Sequence, residues 1–471
     1  MLPDPGLDTG ERTMIEAALV YARDHRRQYL AALVELLRIP SVSMELEHGA
    51  DMEDAADWLA EYLKRMGMTR VEMLPTQGFP VVYGEWLGAG EDAPTLLAYG
   101  HYDVQPVDPV EEWLTPPFEP TIRGDDIFCR GASDDKGQLF AVLAAVEAYL
   151  RAAGRLPVNV KIMLEGEEEL SSPHMAAFIE RHHQQLAADA ILICDEAVLD
   201  PQTPLVMYGV RGSLYLEIDV RGPAQDLHSG TFGGAVDNPF NVLVRLLASL
   251  QDGRSRRVRI PGFYERVRPL DDAERALLAK VPVDDEAARY LAGVGVLAGE
   301  DGYTTVERVS VRPTLEIHGM PGGFTGPGKK TVIPARASAK VSMRLVPDQN
   351  PQEIRHLFEE HLRTMAPPTV DLTIRTLGAS RPVVMDYRAV EIQAISRALE
   401  QGFGAPPVYF RGGGSLPIVA DFQERFGVPI ALIGFGMPDD NIHAPNEKYH
   451  LPNFYRGIET VIHYISILSE M

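Results

Sequence analysis

Apolar and polar positions follow two different periods along the first two hundred residues of the chain. The helical period predicts amphipathic helices over residues 14–37, 51–66, 137–152 and 175–186. Short apolar runs between them predict buried strands over residues 81–87, 95–99, 158–164 and 190–193. Because strands that alternate with helices form largely parallel sheets, this part of the chain predicts an α/β domain.

The pattern changes to a period of two after residue 211. Leu214, Leu216, Ile218 and Val220 alternate with more polar residues. The same alternation returns over 339–345 and near Leu372 and Ile374. This period is typical of an antiparallel sheet with one buried and one exposed face.

The α/β pattern resumes after residue 379. It predicts helices over 389–400 and 453–469 and a buried strand over 428–433. We therefore predict a discontinuous α/β domain with a mostly parallel sheet over 1–211 and 380–471. A smaller α+β domain is inserted into it over 212–379.

The net charge and the cysteine content of the chain argue against several classes of function. The 471 residues include 44 basic and 67 acidic side chains, which leaves a formal net charge of −23. Such a surface repels phosphate backbones and anionic lipids, so neither nucleic-acid nor membrane binding is expected, whereas metal ions are attracted. The two cysteines, Cys129 and Cys194, exclude a disulfide scaffold and suit the reducing cytosol. No signal peptide and no membrane-spanning run is predicted.

Residue types that bind metal ions follow several of the predicted strands or open a predicted helix. They are His101 and Asp103, Asp134 and Asp135, the glutamates of Glu165–Glu169, Asp195 and Glu196, and His443. Ligands of open α/β sheets bind at the carboxyl ends of the strands, where such side chains would meet. Mixed imidazole and carboxylate donors predict a two-metal site for zinc or manganese, and such sites suit hydrolysis.

Each cluster also has an ordinary structural explanation. His101 and Asp103 could be a loop pair, and Asp134 could cap a helix. The glutamates could form a solvated acidic loop, and either Asp195 or Glu196 could be the ligand. The complete set, at the ends of four strands, favours the metal site.

These motifs, in this order, resemble the co-catalytic zinc aminoacylase, carboxypeptidase and dipeptidase family, which includes carnosinase and acetylornithine deacetylase. The motifs are Gly100–Pro106, Gly131–Gly137, Glu165–Glu169, Asp195 and His443. The resemblance implies two Zn²⁺ ions per subunit, with Mn²⁺ as the alternative, and a bridging Asp134. His101 and Asp195 would complete one metal site, and Glu169 and His443 the other.

The resemblance also implies roles for residues around the metals. Glu168 would be the general base for a water shared by the two ions, and Asp103 would orient His101. A cis peptide bond is implied between Asp134 and Asp135. We assign Asp195 rather than Glu196 as the ligand because it falls directly after the predicted strand, and because aspartate at this position goes with dipeptidase or aminopeptidase activity in the family.

The inserted domain resembles the dipeptidase branch through the motif Asp226–Gly234. This resemblance implies a lid and dimerisation domain, a homodimer, and a His228 that acts in the active site of the partner subunit as an oxyanion stabiliser. The motifs Lys330–Pro334, Ser342–Pro347 and Gly412–Ser415 are similar to the same branch and imply four substrate-binding residues, Thr331, Arg344, Gly414 and Ser415. Arg344 and Ser415 would hold the substrate's carboxylate, which suits the planar fork of arginine.

We therefore predict a cytoplasmic dinuclear zinc metallopeptidase that hydrolyses short peptides as a dipeptidase. Glu167, Leu170 and Ser171 depart from the small residues usual beside the catalytic glutamates. The first alternative is an N-acyl amino-acid deacylase with the same machinery. The second is a catalytically silent binding protein with this fold.

Overall fold

A computed structural model describes residues 9–414 and 416–471 of the chain. Contacts divide the described residues into two units. Unit 1 comprises the chain up to Tyr208 together with Met385–Tyr409 and Asp421–Met471. Unit 2 comprises Gly209–Val384 and Phe410–Ala420. The inserted domain is predicted over 212–379, and the segment 410–420 joins unit 2 from outside that range.

The helices and strands account for most of the described residues. The helices are α1 (Thr9–Asp24), α2 (Arg26–Leu37), α3 (Gly49–Met66), α4 (Lys136–Ala153), α5 (Met175–Leu186), α6 (Ser229–Phe232), α7 (Pro239–Ser249), α8 (Asp272–Leu278), α9 (Asp285–Ala292), α10 (Thr305–Ser310), α11 (Pro351–Met365), α12 (Val390–Phe403), α13 (Pro417–Phe426) and α14 (Leu451–Ser469). The strands are β1 (Arg70–Leu74), β2 (Val81–Trp86), β3 (Thr95–His101), β4 (Thr121–Arg123), β5 (Asp126–Phe128), β6 (Asn159–Glu165), β7 (Ala190–Ala197), β8 (Leu205–Val210), β9 (Gly212–Arg221), β10 (Leu227–His228), β11 (Thr314–Gly319), β12 (Val332–Ile333), β13 (Arg336–Leu345), β14 (Asp371–Ser380), β15 (Val383–Val384), β16 (Val408–Gly412), β17 (Ile430–Gly436) and β18 (Lys448–His450). Short 3₁₀ turns lie at Leu46–His48, Val110–Glu112 and Glu168–Leu170.

The sheet of unit 1 has a parallel centre. Its strand order is β1-β2-β6-β3-β7-β17-β8, and β6, β3, β7 and β17 run parallel to their neighbours in this group. The outer pairs β1–β2, β2–β6 and β17–β8 are antiparallel. The four central strands are almost wholly buried, as expected for continuous apolar runs between layers of helices. The predicted α/β class is confirmed.

Helices cover this sheet and build the core of unit 1. Helix α4 packs against α1 and α14, and α14 also packs against α12. Most of α4 is buried, including its first residue Lys136, whose ammonium donates to the carbonyls of Leu36 and Ile39. The helix predicted over 14–37 is two helices, because the backbone at His25 leaves the helical conformation.

A small three-stranded sheet in unit 1 joins two distant parts of the chain. Strand β18 pairs with β5, and β5 pairs with β4. The pairing continues beyond β18, since the Cys129 amide donates to the Glu447 carbonyl at 3.0 Å. The loop before β18 is therefore held beside the loop that leads into α4.

Unit 2 contains a four-stranded antiparallel sheet in the order β11-β13-β9-β14. One face carries the alternating apolar residues of β9 and β13 and is covered by α7 and α11. This face contains Leu214, Leu216, Ile218 and Val220, as the period of two predicts. A separate two-stranded pair, β10–β12, carries His228 at its end. Across the described residues, no helix combines the length and the apolar character needed to cross a membrane.

Candidate metal centre

The five predicted metal ligands all lie in unit 1, at or beyond the carboxyl ends of adjacent parallel strands. His101 ends β3, Asp195 lies in β7, and Glu169 lies in the turn after β6. His443 lies in the loop after β17, and Asp134 lies two residues before the start of α4. Since β6, β3, β7 and β17 are neighbours, the fold brings these side chains to one edge of the sheet.

The Asp134 carboxylate lies between the two imidazoles. Its Oδ1 is 3.0 Å from His101 Nε2, and its Oδ2 is 2.9 Å from His443 Nε2. One carboxylate thus presents a different oxygen to each histidine. This arrangement suits a ligand shared between two cations.

Two further carboxylates complete the halves of the cluster. Asp195 Oδ1 is 3.9 Å from His101 Nε2, and Glu169 Oε2 is 3.4 Å from His443 Nε2. Strand β7 extends through Ala197, so Asp195 is a strand residue and does not follow the strand as predicted. Successive strand side chains point to opposite faces, and Asp195 rather than Glu196 approaches His101.

Asp103 links His101 to the turn that carries Glu168. The Nδ1 atom of His101 is 3.1 Å from the Asp103 carbonyl and 3.3 Å from its Oδ1. The Asp103 carboxylate also accepts hydrogen bonds from the amides of Glu168 and Glu169, at 3.2 and 3.1 Å, and from the Ser43 hydroxyl at 2.7 Å. One buried carboxylate therefore fixes both the imidazole and the glutamate turn.

The Glu168 carboxylate lies within this cluster of negative charge. Burial raises its pKa to about 7, and the charges of Asp195, Asp134 and Asp103 act in the same direction. In the part of the chain that the structure describes, no group donates a hydrogen bond to this carboxylate. Its oxygens are therefore available to exchange a proton.

The pKa values of the predicted ligands reflect the excess of acid over base. Burial and the Asp134 charge raise the pKa of Glu169 to about 8, and burial also raises the pKa of Asp195. For Asp134 burial acts in the same way, but hydrogen bonds with His101 and His443 outweigh it and lower the pKa. The hydrogen bond to Asp134 raises the pKa of His443 to about 9.

The donor set fits two divalent cations. One oxygen or nitrogen atom from each of His101, Asp135 and Asp195 lies within 4.8 Å of the others, and the same holds for Asp134, Glu169 and His443. Buried carboxylates in this number repel each other unless positive charge is placed among them. Mixed imidazole and carboxylate oxygen donors are those that zinc and manganese accept.

Three residues around the centre were given no role from the sequence. Asp135 is buried and accepts the amide hydrogen of His101 at 3.2 Å, while its other oxygen has no partner among the described residues. Gln105 donates to Glu169 Oε2 at 2.6 Å. Glu447 accepts four hydrogen bonds from the loop that carries Asp134. The cis peptide bond between Asp134 and Asp135 is present, as the resemblance implied.

The predicted substrate residues lie in unit 2. His228 is exposed, its Nδ1 accepts the amide hydrogen of Gly230 at 3.1 Å, and its Nε2 lies 3.5 Å from the Thr331 hydroxyl. Arg344 lies near the end of β13, opposite Ser213 of β9. Gly414 follows β16 and is exposed. Ser415 lies outside the described residues.

The α/β sheet and the paired imidazole–carboxylate clusters at its edge define a metal-dependent hydrolase. The sequence pattern of Peptidase family M20/M25/M40 matches residues 97–466, and the chain belongs to this family. It is a metallopeptidase, as the resemblance implied.

Relatives of known activity match almost the whole chain. The Cys-Gly metallodipeptidase DUG1 of Candida albicans is 30% identical over an alignment of 479 positions, gaps included, which covers 97% of this chain and 98% of the relative. The Beta-Ala-His dipeptidase of Homo sapiens is 32% identical over 461 residues, covering 94% and 90% of the two chains. The crystal structure of the M20 family metallo-carboxypeptidase Sso-CP2 from Sulfolobus solfataricus is similar, with a TM-score of 0.83 and 34% identity over 94% of this chain and 99% of the other.

Proposed function

We propose that this metallopeptidase is a dipeptidase that requires two divalent cations, zinc or manganese. The observation that carries the proposal is the position of the Asp134 carboxylate, with one oxygen beside His101 and the other beside His443. Full-length similarity to two metallodipeptidases supports dipeptides as the substrate class. His101, Asp134 and Asp195 would hold one cation, and Asp134, Glu169 and His443 the other.

Different residues of the chain have different roles in peptide hydrolysis. When bound, the cations would polarise the scissile carbonyl and make water more acidic. Glu168 takes a proton from the attacking water on its carboxylate and delivers it to the amine nitrogen that leaves. A pKa near 7 suits a group that must first accept and then donate a proton at neutral pH. Asp103 contacts both His101 and the Glu168 amide and so fixes their positions relative to each other.

The first test measures substrate class and metal dependence together. We expect the purified chain to hydrolyse dipeptides such as Cys-Gly and β-Ala-His, and not the corresponding N-acetyl amino acids. Chelation should abolish the activity, and added Zn²⁺ or Mn²⁺ should restore it, because the buried carboxylates need the cations. Hydrolysis of N-acetyl amino acids alone would establish the deacylase instead. Absence of bound metal together with absence of hydrolysis after reconstitution would establish the silent binding protein.

The oligomeric part of the proposal concerns unit 2. We place His228 in the active site of the partner subunit of a homodimer, with unit 2 as the lid and dimerisation domain. The support is the resemblance of Asp226–Gly234 to the dipeptidase branch and the exposure of the His228 imidazole. Its Nε2 would stabilise the oxyanion, and Thr331, Arg344, Gly414 and Ser415 would bind substrate. The two buried free cysteines suit a reducing compartment, and we propose the cytoplasm.

A complementation experiment tests whether His228 acts across the dimer. Chains with His228→Ala and chains with Glu168→Ala should each be nearly inactive. In a mixed dimer, the site of the His228→Ala chain keeps its own Glu168 and receives an intact histidine from the other chain. Random pairing of two co-expressed chains should therefore restore about one quarter of the wild-type sites. A mixture as inactive as its components, or a monomeric wild-type protein, would contradict the proposal.

A further inference from the structure

A cavity of about 550 Å³ lies within unit 2, and five of its thirteen lining residues are arginines. Its basic lining residues are Arg211, Arg256, Arg308, Arg312 and Arg344. Its acidic lining residues are Glu300 and Glu316. The chain as a whole has a net charge of −23, whereas basic residues outnumber acidic ones in this cavity. Such a local excess of positive charge favours the binding of an anion.

The two glutamates do not balance the arginines. Glu300 is already engaged by Arg312 through two hydrogen bonds of 2.7 and 2.9 Å, and by Arg257 at 2.7 Å. The Nε of Arg308 donates to the Glu300 carbonyl at 3.0 Å and not to its carboxylate. Glu316 is exposed. Among the described residues, Arg211 and Arg308 thus donate to main-chain carbonyls, and neither forms an ion pair with a carboxylate.

Arg211 is the most informative of these residues, because its side chain is buried. Only 9% of the residue is exposed. Its Nε and Nη1 donate to the carbonyls of Gly413 and Arg312, at 3.1 and 3.4 Å, and among the described residues no carboxylate lies within ion-pair distance of it. Burial and the charge of Arg344 lower its pKa to about 10. A buried guanidinium beside a second one is costly unless an anion joins them.

Arg211 and Arg344 are neighbours because of strand register. Arg211 directly precedes β9, and Arg344 of β13 pairs with Ser213 of β9. Under the proposed function, Arg344 holds the main-chain carboxylate of the substrate. A ligand that reaches this cavity therefore finds further guanidinium groups beside the one that binds its terminal carboxylate.

We propose that this cavity binds a second carboxylate, that of an acidic side chain on the C-terminal residue, so that dipeptides ending in glutamate or aspartate are preferred. Arg211 and Arg308 are the residues that would recognise it. Guanidinium groups suit this task, since their planar donors bind carboxylates in pairs. The inference rests on the proposed function, because it assigns Arg344 to the substrate.

The test compares two dipeptides of nearly equal shape. Ala-Glu and Ala-Gln differ at one atom of the side-chain terminus, so their kcat/KM ratio isolates the charge. We expect the metal-loaded wild-type enzyme to favour Ala-Glu by about tenfold or more, chiefly through a lower KM. Arg211→Gln and Arg308→Gln should each bring the ratio towards one, while activity on Ala-Gln reports that the variant is folded.

Arg266→Gln is the matched control. Arg266 belongs to unit 2, lies outside the cavity lining and pairs with Glu353 at 2.8 Å, so its loss should leave the ratio unchanged. Equal or poorer hydrolysis of Ala-Glu by the wild-type enzyme would overturn the acidic-substrate proposal alone. The same holds if both arginine variants lose activity on the two substrates in parallel. Failure to hydrolyse Ala-Glu and Ala-Gln by an enzyme that hydrolyses Cys-Gly would likewise overturn this inference alone. Failure on all three dipeptides, with cations bound, would overturn the proposed function and this inference with it.

Discussion

Replacing Glu168 with alanine is expected to lower kcat for dipeptides by about 10²–10⁴-fold while both cations remain bound. The expected loss is that of a proton acceptor placed beside the attacking water. Glu168 is neither one of the five proposed ligands nor a member of either candidate group of donor atoms, so its removal leaves those atoms in place. Steady-state kinetics and metal analysis of the same preparation provide the measurement.

Glu169 supplies a matched control in the next residue. Glu169→Ala removes an oxygen that lies 3.4 Å from His443 Nε2, so this variant should lose one cation as well as activity. The two adjacent glutamates are thus expected to separate catalysis from metal binding. If Glu168→Ala also lost its cations, Glu168 would be a ligand and another group would have to move the proton.

Hydrophobic periodicity was sufficient to predict α1–α5, α12 and α14, the central strands of unit 1 and three strands of the antiparallel sheet of unit 2, but no helix of unit 2. Helix α5 has the predicted bounds, Met175–Leu186, although its backbone leaves the helical conformation at His182. The break at His25 was missed, since the apolar pattern continues across it in both helices. Strand β7 was predicted too short because its last residues carry polar side chains of the metal centre, which interrupt the apolar run.

The metal-binding residues could be predicted because most of them stand at the ends of apolar runs. The carboxyl ends of parallel strands lie at one edge of the sheet, so such residues are expected to meet there. The groups that hold these residues could not be predicted, because their partners are far away in the chain. Ser43 donates to Asp103 across 60 residues, and Glu447 contacts the Asp134 loop across more than 300. The pairing of β18 with β5 creates the second contact, and three-residue strands leave no periodic signal.

The arginine cavity illustrates the same limit in unit 2. Arg211 lies between two strands, and Arg308 lies in the short helix α10. Nothing in the local pattern around either residue distinguishes it from an exposed arginine. Their significance follows from the burial of Arg211 and from the lack of an ion pair at either arginine among the described residues, and both are properties of the folded chain.

Replacing Glu447 with glutamine is expected to weaken binding of both cations by about 10–100-fold and to destabilise the fold. Glu447 is 1% exposed, and its Oε1 accepts the amide hydrogens of Ser133 and Asp134 at 3.0 and 3.1 Å. Its Oε2 accepts the amide hydrogen of Gly131 at 2.9 Å and Nη1 of Arg130 at 2.6 Å. A glutamine would point an NH₂ group at one of these pairs of donors, and the buried Arg130 would lose its counter-charge.

The loss should therefore appear in metal affinity and in stability together. Breaking a buried charge pair costs about 3–5 kcal/mol, which thermal unfolding of the metal-free protein can measure, while chelator competition measures the affinity. Glu459→Gln is the control. Glu459 also accepts hydrogen bonds from two arginines, Arg23 and Arg26, yet it lies on α14 and does not contact the Asp134 loop. Wild-type affinity for both cations in Glu447→Gln would show that Asp134 is held in place without this carboxylate.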